Sequence, residues 1–149
     1  MRHMRRAALL AAAALCSSSC GIFGSDPTPQ DLMLSGLKRL ESTVLSEVED
    51  PERAGEACRH LSVMYELERS LFEDVAGIQS ELRADLARYD TPREVLEGHL
   101  VRMSECRERF RDEMVPELGR LRSCLEDDEW SELLATMTEE GRRWESLKK

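Results

Sequence analysis

Two histidines with the acids around them are the first candidates for chemistry in this 149-residue sequence. His60 and Glu56 are four residues apart, which puts both side chains on one face of a helix, and this spacing can hold a metal ion. Two ligands are too few for a structural zinc site, and His99 falls far from His60 in the helical arrangement derived below. We therefore expect no metal site, and we interpret His60 as a solvated histidine on a helix surface.

The common catalytic motifs are missing from the sequence. It contains no Gly-x-Ser-x-Gly, no phosphate-binding glycine loop and no Cys-x-x-Cys pair. The acidic run at 126–129 lacks the alternating spacing and the glycine of a calcium-binding loop, and we interpret it as favourable electrostatics at a helix start. We expect a protein that is not an enzyme and that has no catalytic residue and no cofactor.

The first twenty residues have the layout of an export signal. Arg2, Arg5 and Arg6 precede an unbroken apolar run at 7–15. A helix that crosses a bilayer needs about 20 apolar residues, so this run is too short to be one. Small residues follow at 17–19, as at a cleavage site, and the pattern predicts a signal peptide over residues 1–19.

Cys20 directly follows this signal and, with Gly21 after it, resembles the lipobox of bacterial lipoprotein precursors. In that family the thiol receives a diacylglycerol, and cleavage leaves the cysteine as the first residue. The resemblance implies lipidation at Cys20 and a periplasm-facing position on a bacterial membrane, with Gly21 favouring the outer membrane. Ser17 stands where the family usually has leucine, so ordinary cleavage near Ser19 and a soluble secreted product is the alternative.

The charge of the chain excludes one class of partner. Residues 1–19 hold three of the 21 basic residues and none of the 30 acidic ones, so the cleaved chain would carry a net charge of −12. Such a surface repels phosphate backbones and anionic lipids, so we expect no nucleic-acid partner and membrane contact only through the lipid anchor. Residues 20–28 are predicted to be anchor and flexible tether, and 29–149 a single helical domain.

Helical periodicity runs through the rest of the chain, without the alternation typical of β-strands. Proline follows a good N-cap residue at Thr28-Pro29, Asp50-Pro51 and Thr91-Pro92, and Thr91 with Glu94 matches a capping box. The acidic run at 126–129 marks a fourth start. The predicted helices are 29–48, 51–89, 92–125 and 128–147.

The second and third of these helices carry matching apolar seams and are joined essentially by Asp90, so they must fold back antiparallel. Their register pairs apolar residues along both seams, Leu82 opposite Leu100 among them. The outer helices are about half as long. The sequence thus predicts an all-α antiparallel four-helix bundle from which a long central hairpin, at residues 72–105, projects as a two-helix coiled-coil arm. Pro116 is expected to kink or break the third helix.

The same register sets Cys58 opposite Cys124. Exported proteins can keep disulfides, and we predict a Cys58–Cys124 bond between the second and third helices. Three reduced, buried thiols are the alternative. Cys106 would remain unpaired and, if exposed, could cross-link two copies.

These features favour a lipid-anchored, non-catalytic protein of the cell envelope that acts by contact with an unknown envelope protein or by self-association. The predicted arm is the candidate contact surface, because Phe72, Val95 and Val101 flank its seam and a two-helix stalk buries its flanks poorly. The alternative is a periplasmic stress- or metal-responsive helical chaperone or sensor. Exported helical hairpins with Leu-Thr-x-x-Gln repeats form such a family, to which this chain is only loosely similar, since residues 125–128 have neither the Thr nor the Gln.

Overall fold

The computed structural model of the chain describes residues 28–146, which form four α-helices and contain no β-strand. The all-helical fold class is confirmed, and each helix end lies within three residues of its predicted position. None of these helices is long and apolar enough to cross a membrane. The predicted signal peptide and the lipidation of Cys20 lie outside the described residues. In chain order, α1 spans Pro29–Glu47, α2 Pro51–Leu86, α3 Arg93–Ser123 and α4 Asp127–Ser146.

Side-chain caps explain where α1 and α2 begin. Thr28 caps α1: its hydroxyl accepts a hydrogen bond from the Asp31 amide, and the Asp31 carboxylate accepts one from the Thr28 amide at 3.0 Å. Asp50 caps α2 by accepting from the amides of Glu52 at 2.8 Å and Arg53 at 3.3 Å. These bonds satisfy backbone donors that have no partner within the helix. The proline after each cap opens the helix, as predicted.

The predicted capping box at Thr91 and Glu94 is wrong. The α3 helix starts after Pro92 without a side-chain cap bond. The Thr91 hydroxyl instead donates to the backbone carbonyl of Asp85 at 2.6 Å. It therefore closes the end of α2 and is not available to the first turn of α3.

A helix break at Pro116 is also not observed, because α3 is one continuous helix from Arg93 to Ser123. Proline removes one backbone hydrogen bond from the helix interior. The residues that follow it, Glu117 and Leu121, are buried. The packing of these two residues holds the stretch of helix after the lost bond in place.

The α2 and α3 helices pack against each other over much of their length. Residue numbers rise along α2 while those of the partners fall along α3, so the two helices run in opposite directions. The ion pairs that define this order are Asp74–Arg109 at 2.9 Å, Glu81–Arg102, and Asp85–His99 at 2.8 Å.

The seam differs from the prediction near the turn. Leu100, predicted to lie in the seam opposite Leu82, is 57% exposed. The neighbouring His99 takes the buried position, and its Nε2 bonds to the Asp85 carboxylate. The bond to Asp85 offsets part of the cost of burying the imidazole, whereas its Nδ1 is buried without a hydrogen-bond partner.

The buried core lies at the end of the hairpin remote from the turn, and α1 packs against both α2 and α4. Arg39 of α1 pairs with Glu140 of α4 at 2.5 Å, and the hydroxyls of Thr43 and Thr136 lie 3.2 Å apart. All four helices contribute to this core. Its buried members are Val44, Val48, Ala54, Ala57, Leu61, Leu121, Leu125 and Leu133.

Candidate functional site

Both histidines of the described residues bind a carboxylate across the hairpin. His60 Nδ1 lies 2.5 Å from Glu117 Oε1, and the two side chains are only 18% and 7% exposed. Glu117 also accepts a hydrogen bond from Arg120, one turn further along α3. The hydrogen bond from His60 lowers the pKa of Glu117; burial opposes the shift and Arg120 adds to it. Glu117 is therefore held as a carboxylate inside the packed hairpin.

A cluster of three potential metal ligands lies beside this pair. One ligand atom each from Glu56, His60 and Cys124 lies within 4.8 Å of the other two. Glu56 and His60 are one turn apart on α2, as the sequence predicts. Cys124 caps the C-terminal end of α3, and the hairpin brings it to the same place. We call these three residues the Glu56–His60–Cys124 cluster.

The Cys124 thiol is half-buried in this cluster, and its Sγ donates to the backbone carbonyl of Arg120 at 3.3 Å. Burial raises the pKa of Cys124, and the Glu56 carboxylate adds to this shift. Arg59 and Arg53 act in the opposite direction. The free protein therefore carries Cys124 as a thiol.

The predicted Cys58–Cys124 disulfide is not present, because Cys58, Cys106 and Cys124 all carry free thiols. The reason is the rotation of α2 about its axis. Cys124 lies with Glu56 and His60, whereas the neighbouring charge that acts on Cys58 is Glu41 of α1. Burial and this carboxylate raise the pKa of Cys58.

The residues predicted to contact a partner are all partly exposed. Phe72 is 45% exposed, but it has an intramolecular neighbour: its ring stacks on Trp144 of α4, with centroids 6.3 Å apart. Val95 and Val101 are 43% and 55% exposed on α3. Val101 lies beside the exposed Leu100.

Further apolar side chains are exposed where α2 turns into α3. Tyr89, in the turn itself, is fully exposed, and Leu86 before it is 60% exposed. We call the exposed apolar residues of this region the turn surface. It comprises Leu86, Tyr89, Val95, Leu100 and Val101.

The remaining sequence candidates have structural roles. In the acidic run, Glu129 accepts from the Glu126 amide at 2.7 Å and so caps the start of α4. Arg53 of α2 pairs with both of these carboxylates. Cys106 is half-buried, and Arg109 lies 3.5 Å from its sulfur.

Sequence reasoning missed Cys124 as a third potential ligand and Glu117 as the partner of His60. The predicted antiparallel register could have indicated the pair of His60 and Glu117, because it places Glu117 about one helical turn from the residue opposite His60.

The fold and site define an all-helical protein with a histidine–carboxylate pair and a thiol at one end of a long hairpin. Comparison of the chain with protein-family models, with curated proteins and with solved structures gives no match.

Proposed function

We propose that this chain is a lipid-anchored helical protein of the bacterial cell envelope that acts without catalysis, by contact with another envelope protein. The observation that carries the contact is the turn surface. Its five large apolar side chains are exposed within the stretch of chain from Leu86 to Val101. Exposed apolar residues that form one patch commonly mark interaction sites.

The proposal includes an architecture in which α2 and α3 extend past α1 and α4 as a two-helix arm. Helix lengths support it: α2 has 36 residues and α1 only 19. At 1.5 Å per residue these are about 54 Å and about 28 Å. The core members on α2 end at Leu61 and, among the half-buried ones, Met64, so the second half of α2 lies outside the core cluster.

The turn surface would then be at the tip of the arm, far from the packed end. Apolar side chains there contribute little to the fold, because Leu86, Leu100 and Val101 are each more than half exposed. Burial of these side chains against a partner would stabilise the complex by about 25 cal/mol per Å² of apolar surface removed from water.

The contact can be tested with a photo-crosslinking amino acid placed at Val101 or at Val115 in cells. The two valines are a matched pair, since both lie on α3 and are 55% and 61% exposed. We expect a cross-linked product from position 101 and none from 115, and we expect the substitutions Leu86→Ser and Leu100→Ser to abolish it. A product with doubled chain mass would identify self-association. Equal cross-linking at both positions would contradict the proposal.

The lipid anchor needs a separate test. We expect the chain to incorporate labelled fatty acid and to fractionate with membranes, and Cys20→Ala to remove both properties while Cys16→Ala does not. An unlabelled chain in the soluble fraction would instead support ordinary secretion.

A further inference from the structure

The geometry points to a binding site for one divalent transition-metal ion of the zinc class, formed by Glu56, His60 and Cys124. This inference does not depend on the turn surface or on the proposed arm. Its starting point is that three side chains of three different ligand types converge at one place, two from α2 and one from the end of α3.

The donor set suits this class of ion. Zinc takes thiolate, imidazole and carboxylate ligands, whereas calcium and magnesium take oxygen ligands and would leave the thiol unused. Three protein ligands with a fourth position for water is a known zinc arrangement. The sequence alone showed only Glu56 and His60, which were too few.

The distances are close to those needed. Zinc holds its ligands at about 2.0–2.3 Å, so ligand atoms around one ion are separated by about 3–4 Å. The three atoms lie within 4.8 Å of one another. Glu56 is exposed, so a rotamer change can bring its carboxylate closer to the other two ligand atoms without moving the backbone.

His60 Nδ1 bonds to Glu117, so Nε2 would be the nitrogen that binds the ion. Metal-ligating histidines usually donate their other ring N–H to a carboxylate, which fixes the ring and its tautomer. Glu117 is itself buried and held by Arg120. The His60–Glu117 pair therefore has the arrangement of a metal-ligating histidine and its supporting carboxylate.

The charges around the cluster also permit a cation. Arg53 is paired with Glu126 and Glu129, and Arg120 with Glu117, so these guanidinium groups are neutralised by carboxylates. Arg59 also acts on the Cys124 thiol and opposes a cation. On binding, the ion would replace the thiol proton, which passes to solvent, and no group is oxidised or reduced.

The test is a titration of the purified full-length chain with Zn²⁺ and Co²⁺ under reducing conditions. We expect one ion per chain and, with Co²⁺, the charge-transfer absorption of a thiolate ligand. Cys124→Ser and His60→Gln should each weaken binding at least 100-fold, and Glu56→Gln should weaken it less. Cys106→Ser is the matched control and should bind as the parent does.

Several outcomes would overturn the inference. These are a parent chain that binds no ion, cobalt absorption without a thiolate band, or Cys124→Ser binding as tightly as the parent. Because Glu56 is exposed, Glu56→Gln should fold normally, and unchanged affinity in that variant would remove Glu56 from the site. Circular dichroism of each variant separates lost binding from lost folding.

Glu117 is assigned as a positioning residue and not as a ligand. Glu117→Gln should lower metal affinity about 10–100-fold while leaving the shape of the cobalt spectrum unchanged. A changed spectrum would show that Glu117 coordinates the ion directly, and unchanged affinity would show that its bond to His60 has no part in binding.

Discussion

His60 of α2 and Glu117 of α3 are joined by a hydrogen bond of 2.5 Å between Nδ1 and Oε1. Both side chains are largely withdrawn from water. This bond links the two long helices close to the packed end of the hairpin. It also orients the ring that faces the Glu56–His60–Cys124 cluster, so one contact serves both the fold and the candidate site.

Removal of His60 should destabilise the protein. In His60→Ala the buried Glu117 carboxylate keeps its bond to Arg120 but loses its bond to His60, and an underpaired buried polar group costs about 1–3 kcal/mol. Urea unfolding of the single and double variants with Glu117→Gln should give a coupling free energy above about 0.5 kcal/mol. The exposed pair Arg69–Glu66 is the control, with an expected coupling of about 0–1 kcal/mol. A smaller coupling for His60–Glu117 than for this control would contradict the assignment.

Truncation of Leu121 tests the core. Leu121 is fully buried, and Leu121→Ala should lower the free energy of unfolding by about 2–5 kcal/mol because it leaves a cavity among four helices. Val115, on the same helix, is 61% exposed, so Val115→Ala should change it by no more than about 0.5 kcal/mol. Similar losses from both variants, measured by chemical denaturation, would mean that the core is not where the structure places it.

The cap of α2 gives a third prediction. Asp50 accepts hydrogen bonds from two backbone amides at the helix start, so Asp50→Ala should cost about 0.5–2 kcal/mol of stability. Asp50→Asn keeps an acceptor oxygen in the same position and should cost much less. Thermal unfolding of the two variants separates them, and an equal loss in both would show that charge, not the cap, matters at this position.

Glu68 should make stability depend on pH. The Glu68 residue is exposed overall, but its carboxyl borders a small cavity lined mainly by apolar side chains, among them Met33, Leu61 and Met114, and this partial desolvation raises its pKa. A raised pKa in the folded state means that this group stabilises the fold below its unfolded pKa, and that the contribution is lost as pH rises through the folded value.

Glu68→Gln removes this titration. We therefore expect the variant to unfold at a higher temperature than the parent at pH 7, with the difference shrinking near pH 4, as followed by circular dichroism. Glu108→Gln, on α3 and outside this cavity, is the control and should show no such trend. A variant that unfolds at a lower temperature at pH 7 would contradict the raised pKa of this carboxyl.

Much of the helical organisation follows from the sequence alone. Thr28 and Asp50 with their following prolines predicted the starts of α1 and α2 correctly, because capping is a local interaction within four residues. Apolar periodicity also predicted correctly that residues 28–146 form four helices and no strand, because it too depends on residues close together in the sequence. The prediction at Thr91 failed because its hydroxyl could bond either to the first turn of α3 or to the end of α2. It donates to the Asp85 carbonyl of α2.

Tertiary structure decided which side chains meet. Successive residues of a helix point about 100° apart, so an error of one position in register or a small rotation exchanges a buried residue for an exposed one. His99 replaced Leu100 in the seam in this way. For the same reason Cys124 lies beside Glu56 and His60 and forms no disulfide with Cys58. Local patterns therefore determined the helices, whereas the candidate site depended on packing between helices, which the spacing of residues in one chain does not encode with that precision.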